Sequence, residues 1–132
     1  MQDNWSNKLS SQAYAVLRQS QTEVPGSGKL LYNKKAGLYL CGACQQQLFS
    51  SQHKFDAKSG WPSFFKVINQ QAILKRVDHS HNLKRTEVLC RSCQSHLGHV
   101  FKDAYDTPTK TRYCINSLAL KFQETTNNKK SK

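Results

Sequence analysis

The chain of 132 residues is long enough for one compact domain and too short for two of ordinary size. Hydrophobic residues make up 37%, and two Trp, five Tyr and six Phe supply bulk for a core, which excludes wholesale disorder. Twenty basic against eight acidic residues leave a net charge of +12, so a polyanion must be weighed as a partner.

The basic residues are spread as pairs, Lys34-Lys35, Lys75-Arg76, Lys84-Arg85 and Lys129-Lys130, without the long run that marks a basic arm. That pattern suits a solvated surface, and the expectation is against nucleic acid. No stretch approaches 18 consecutive apolar residues, and residues 1–10 carry neither a basic nor an apolar leader region. The expectation is a cytoplasmic chain with no membrane partner, monomeric by default.

Leu9, Ala13, Val16 and Leu17 recur at helical spacing and Ser10 can cap the first turn, which predicts one short N-terminal helix. Val24-Pro25-Gly26-Ser27-Gly28 then breaks regular structure. Beyond it come short apolar or alternating runs bounded by turn residues, at 38–40, 72–77, 87–89 and 118–122, and these predict strands. In the last run Leu118, Leu120 and Phe122 alternate with Ala119 and Lys121. The fold class is therefore mainly β, a single domain over residues 1–122, with residues 123–132 a polar, basic tail expected to be disordered.

Five cysteines organise the chemistry. Cys41 and Cys44 form one C-x-x-C, Cys90 and Cys93 a second, and without a secretion signal such pairs point to metal rather than disulfides. Zinc takes four tetrahedral ligands, so two such turns complete one structural site that staples distant parts of the chain. A rival set is Cys90, Cys93, His96 and His99, which would free Cys41 and Cys44 as a redox pair; its spacing leaves little loop to wrap one ion.

Cys114 then stands alone in Arg112-Tyr113-Cys114-Ile115-Asn116-Ser117. If that segment is extended, Arg112, Cys114 and Asn116 share a face, and the guanidinium favours the thiolate of a nucleophile. A buried structural thiol is the bland alternative. His96 and His99 can serve as general acid or base, with Asp103 close enough in sequence to orient one of them. Gly60-Trp61-Pro62-Ser63-Phe64 puts aromatic rings on a rigid turn that could receive a small apolar group, although Trp61 and Phe64 would also suit a core. His53, His79 and His81 read as surface residues.

Together these residues closely resemble the methionine sulfoxide reductase B family, which reduces the R epimer of methionine sulfoxide. The resemblance runs over about residues 10–122 and includes Thr22-Glu23, Pro25, Ser27-Gly28, both C-x-x-C pairs, Leu48-Phe49, Phe55-Asp56, and the segments 60–64, 96–101 and 112–117. It implies two antiparallel β-sheets in a tent-like arrangement, one structural Zn2+ on Cys41, Cys44, Cys90 and Cys93, and a catalytic cysteine at Cys114. It further implies that His99 supplies a proton, that His96, Asp103 and Asn116 arrange the polar side, and that Trp61 and Phe101 hold the substrate methyl group.

The implied substrate is methionine-(R)-sulfoxide in proteins, and the implied reductant is thioredoxin, glutaredoxin or a small thiol. Two positions depart from the family pattern. Many members carry a resolving cysteine where this chain has Ser59, and Gly26 stands where phenylalanine is common. With four cysteines on the metal no thiol is left to resolve a sulfenic acid, so an external thiol is expected. A basic zinc-ribbon module that binds nucleic acid is the competing reading, and it leaves Cys114, His99 and Trp61 without roles.

Overall fold

Helix α1 (Ser11–Gln19) forms where the apolar spacing predicts it in the computed structural model, which describes residues 8–125. The Ser10 hydroxyl accepts from the Ala13 amide at 3.1 Å and so satisfies one donor that the first turn leaves open. Ser20, at φ 57°, closes the helix in the left-handed conformation with its amide on the Ala15 carbonyl. Val16 and Leu17 are buried on the inner face of the helix.

Among the described residues nine strands follow: β1 (Gly37–Cys41), β2 (Gln47–Ser50), β3 (Lys54–Phe55), β4 (Ser63–Phe64), β5 (Ile73–Asp78), β6 (Arg85–Cys90), β7 (His96–Phe101), β8 (Arg112–Ile115) and β9 (Leu120–Glu124). They make two antiparallel sheets, one of three strands in the order β2-β1-β9 and one of six in the order β3-β4-β8-β7-β6-β5. The mainly β fold read from the sequence is the fold found.

Aromatic rings join the sheets. Tyr39 of β1 packs edge-on against Phe64 of β4 at 5.0 Å, and Phe49 of β2 stacks on the same ring at 4.3 Å. Tyr113 of β8 and Phe122 of β9 extend the cluster. Tyr39, Phe49 and Phe64 are fully buried, and burial on this scale is the main favourable term in folding.

Two of the expected strands, 38–40 and 87–89, lie within β1 and β6, and the third, 72–77, matches β5 except that Ala72 ends a 3-10 turn before it. The fourth is divided, because residues 117–119 form a 3-10 turn before β9 begins at Leu120. The cause is the Glu23 carboxylate, which accepts from the Ser117 and Leu118 amides at 2.9 and 2.8 Å and takes them out of any sheet ladder. Strand β9 continues past the expected boundary at Phe122, with Glu124 paired to Gly37. Of the expected disordered tail, residues 126–132 lie outside the described residues.

Strand register gives the six-stranded sheet its working face. Ser63, Cys114, His99, Glu87 and Arg76 stand opposite one another across β4, β8, β7, β6 and β5. Directly paired residues project to the same side, so these five form one row. The neighbouring row, with Phe64, Tyr113 and Val100, turns into the core.

Candidate active site and metal centre

The same turn is built twice to hold the paired cysteines. After β1 the Cys41 amide donates to the Gln46 carbonyl at 2.8 Å and the Gln45 amide to the Cys41 carbonyl at 2.8 Å, with Gln45 at φ 68°. After β6 the Cys90 amide donates to the Ser95 carbonyl at 2.9 Å and the Gln94 amide to the Cys90 carbonyl at 2.7 Å, with Gln94 at φ 62°. All four sulfurs lie within 4.8 Å of one another, with Cys41 3.7 Å from Cys93 and Cys44 3.5 Å from Cys90. A tetrahedral zinc–thiolate site, with Zn–S of about 2.3 Å, has edges of about 3.8 Å, so this set fits the ion.

Hydrogen bonding with Cys90 and Cys93, and then burial, push the Cys41 thiol up, so a full set of thiolates needs a bound cation. The rival set is not assembled. His96 and His99 are turned onto carboxylates, and Cys41 and Cys44 join the cluster instead of standing apart as a redox pair. The cluster ties the end of β1 in one sheet to the end of β6 in the other.

On the working face a pocket of about 220 Å³ is lined by Cys114, His99, Arg112 and Asn116 on its polar side and by Trp61 and Phe101 on its apolar side. Thr22, Arg85 and Gly98 complete it. Segments far apart in sequence thus meet at Cys114. Gly98 is required by packing, because a Cβ there would collide with the Cys114 carbonyl of the adjoining strand.

Cys114 is half-buried, and burial pushes its thiol up, against the Ser59 hydroxyl and the Arg112 guanidinium, which pull it down. Arg112 acts in the direction expected from the sequence, but desolvation outweighs it. The guanidinium lies over the Phe101 ring at 4.3 Å and is held by Asp103 through two bonds of 3.0 Å.

Asp103 does not orient an imidazole as its closeness to His99 in the sequence suggests, since both of its carboxylate oxygens are taken up by Arg112. The carboxylates on the histidines come from β5 and β6. Asp78 Oδ2 lies 2.7 Å from His99 Nε2, and Glu87 Oε2 lies 2.7 Å from His96 Nδ1. His96 and His99, three residues apart, would face opposite sides of a regular strand. The pairing shifts from Val88↔Gly98 to Leu89↔His96, so Leu97 is an extra residue in a β-bulge that turns His96 to the side of His99. Their rings meet edge-on at 5.7 Å.

His96 is buried behind the pocket, and desolvation holds its imidazole below the usual range, opposed by Glu87. His79 and His81 are exposed as expected. His53 is not a surface residue: it is half-buried and its ring packs edge-on against Phe65 at 5.3 Å.

Glu23 holds the site together, and no local pattern around it in the chain marks it out for that part. Its amide donates to Asn116 Oδ1 at 2.9 Å, and its carbonyl accepts from the Trp61 indole at 3.1 Å. The Asn116 side-chain amide also donates to the Leu97 carbonyl at 3.0 Å. One buried acidic residue therefore fixes the indole, Asn116 and the turn after Cys114. Buried Ser63 presents its hydroxyl, and Ser59 Oγ sits between it and Cys114, 3.3 Å from Ser63 Oγ and 3.7 Å from the sulfur.

The SelR domain family matches residues 9–124. A protein of Methanosarcina mazei called peptide methionine sulfoxide reductase MsrB is 50% identical over 121 residues, covering 92% of this chain and 86% of the relative. Proteins of the same name from Methanosarcina barkeri and Leptospira interrogans are 49% and 46% identical, each over 92% of this chain and over 85% and 92% of their own lengths. A match over nearly the whole described fold, metal turns and pocket included, places this chain in the peptide methionine sulfoxide reductase MsrB family, whose members are oxidoreductases.

Proposed function

We propose that the protein reduces the R epimer of methionine sulfoxide, in oxidised proteins and less well as the free amino acid, with Cys114 as nucleophile. One observation carries this reading: a single small pocket brings together a lone thiol, an imidazole and an indole from three separate segments. The Cys114 thiolate attacks the sulfoxide sulfur while His99 protonates the oxygen. The net change moves oxygen from substrate to enzyme: thiol and sulfoxide become sulfenic acid and thioether, with two electrons passing from Cys114 to the substrate sulfur.

Stereochemistry follows from the asymmetry of the pocket. With attack fixed from Cys114, the methyl group belongs against Trp61 and Phe101 and the oxygen toward His99 and Asn116, which leaves one direction for the rest of the substrate. The mirror arrangement would put oxygen on the indole.

Ser59 at the resolving position leaves the sulfenic acid to an external reductant. Thioredoxin, glutaredoxin or a small thiol supplies two thiols, which become a disulfide as Cys114 is regenerated and water is released. Such reductants are kept reduced in the cytoplasm, where the reading places the protein, acting as a monomer. Among the described residues no helix is long and apolar enough to cross a membrane. The metal is one zinc per chain, held by Cys41, Cys44, Cys90 and Cys93, and its chemistry is to brace the two sheets.

Incubation with each resolved epimer and dithiothreitol tests the reading. Conversion of the R form to methionine with the S form unchanged is expected; an untouched R form, or preference for S, would overturn it.

A further inference from the structure

Two carboxylate–imidazole couples stand side by side on the working face, Asp78 with His99 and Glu87 with His96. Each carboxylate is gripped from outside by an arginine. Glu87 Oε1 accepts from Arg76 at 2.9 and 3.1 Å, and Asp78 Oδ2 lies 3.5 Å from Arg85 Nη2. The couples differ in the ring nitrogen they take, Nδ1 in His96 and Nε2 in His99. They also differ in place, since His99 lines the pocket and buried His96 does not.

The Asp78 carboxylate is fixed on both oxygens. Oδ1 accepts from the Ser80 amide at 2.9 Å, while Oδ2 serves both His99 and Arg85. Bonds from His99 and Ser80 hold its carboxyl well below the usual range. An ionised carboxylate can only accept, so His99 Nε2 must carry a hydrogen whenever this contact is made. The nitrogen left for exchange with the pocket is Nδ1.

We infer that Asp78 is the positioning residue of this site: it fixes the ring orientation and tautomer of His99 and thereby presents Nδ1 to the substrate oxygen. The assignment rests on the reductase reading for the part His99 plays. Asp78 reaches the site through strand pairing alone, from 21 residues away in sequence, by way of the β5–β6 hairpin. Arg85, itself part of the pocket wall, lies 3.5 Å from the same oxygen that meets His99.

A double-mutant cycle tests this with the zinc-loaded full chain. Asp78→Ala is expected to lower kcat by roughly ten- to a hundredfold, part of the 10²–10⁴ that acid catalysis is worth, with KM changed by less than about twofold. In a His99→Ala background the same substitution is expected to lower kcat no further, because its partner is gone. An equal loss in both backgrounds, or no loss in the first, would overturn the assignment.

Long-range nitrogen–proton correlation spectra supply a readout that does not need turnover. Neutral His99 is expected to carry its proton on Nε2 in the parent and to lose that single tautomer in Asp78→Ala. A proton on Nδ1 in the parent would contradict the inference. Should the parent lack reductase activity, the reductase reading falls on its own, and the tautomer still decides whether Asp78 positions His99.

Discussion

The Ser59 hydroxyl lies 3.7 Å from the Cys114 sulfur, close enough that a thiol in its place could form a disulfide after a small side-chain rotation. Oxidised Cys114 therefore has a neighbour in position to resolve it but of the wrong chemistry. After one turnover without reductant the parent protein is expected to hold a sulfenic acid that a carbon nucleophile traps, whereas Ser59→Cys is expected to give a disulfide between the introduced thiol and Cys114. Mass spectrometry separates the two products. An intramolecular disulfide in the parent would contradict the proposed external reductant.

Because burial pushes the Cys114 thiol up, its thiolate fraction grows only above the ordinary thiol range. Alkylation of Cys114 is expected to accelerate with rising pH, with a midpoint above that of a free thiol. Arg112→Met is expected to move the midpoint higher, since the guanidinium pulls the thiol down. The linked stability has the same sign: burial of the neutral thiol contributes fully below the unfolded pKa, and the contribution is lost as pH rises through the raised folded value. Iodoacetamide rates against pH, with Cys114→Ser as blank, check both directions.

Glu23→Ala would leave the Ser117 and Leu118 amides without the acceptors they now have. At about 1 to 3 kcal/mol for each of the two donors left unsatisfied, the expected loss of stability is roughly 2 to 6 kcal/mol. The backbone bonds of residue 23 to Asn116 and the Trp61 indole are kept in this variant, so turnover falls only as far as the loosened turn after Cys114 disturbs the site. Urea unfolding and steady-state kinetics measure the two effects. Unchanged stability would show that these bonds are replaced by water at no cost.

The four-cysteine cluster was legible because C-x-x-C forms a local turn, and the N-terminal helix because apolar spacing and a Ser10 cap are local signals. What depended on pairing was not legible. Strands β3 and β4 are two residues long and show no period. The bulge at Leu97, which sets His96 beside His99, leaves no mark in a sequence where i and i+3 belong to opposite faces of a strand. Asp103 drew attention by its closeness to His99 along the chain, yet Asp78 arrives there across two strand pairings. Leu118 and Ala119 open a run that alternates like a strand, and only the buried carboxylate of Glu23 shows why they turn.

With zinc removed by a chelator, or with Cys41→Ser, the tie between the two sheets is lost. Structural zinc carries an apparent binding free energy of about 10 to 16 kcal/mol in small peptides, comparable to the whole stability of an ordinary domain. Unfolding at ordinary temperature is therefore expected, seen as loss of the near-ultraviolet circular dichroism. X-ray absorption on the intact protein is expected to show one zinc with four sulfur neighbours; two sulfurs and two nitrogens would contradict the assigned ligands.

Single-turnover stoichiometry reaches the central claim most directly. Mixed in excess over methionine-(R)-sulfoxide without any reductant, the zinc-loaded protein is expected to yield one methionine per sulfoxide and to lose one titratable thiol, at Cys114, for each. Methionine formed by Cys114→Ser at the parent rate, or by the parent with Cys114 still a free thiol, would contradict the account.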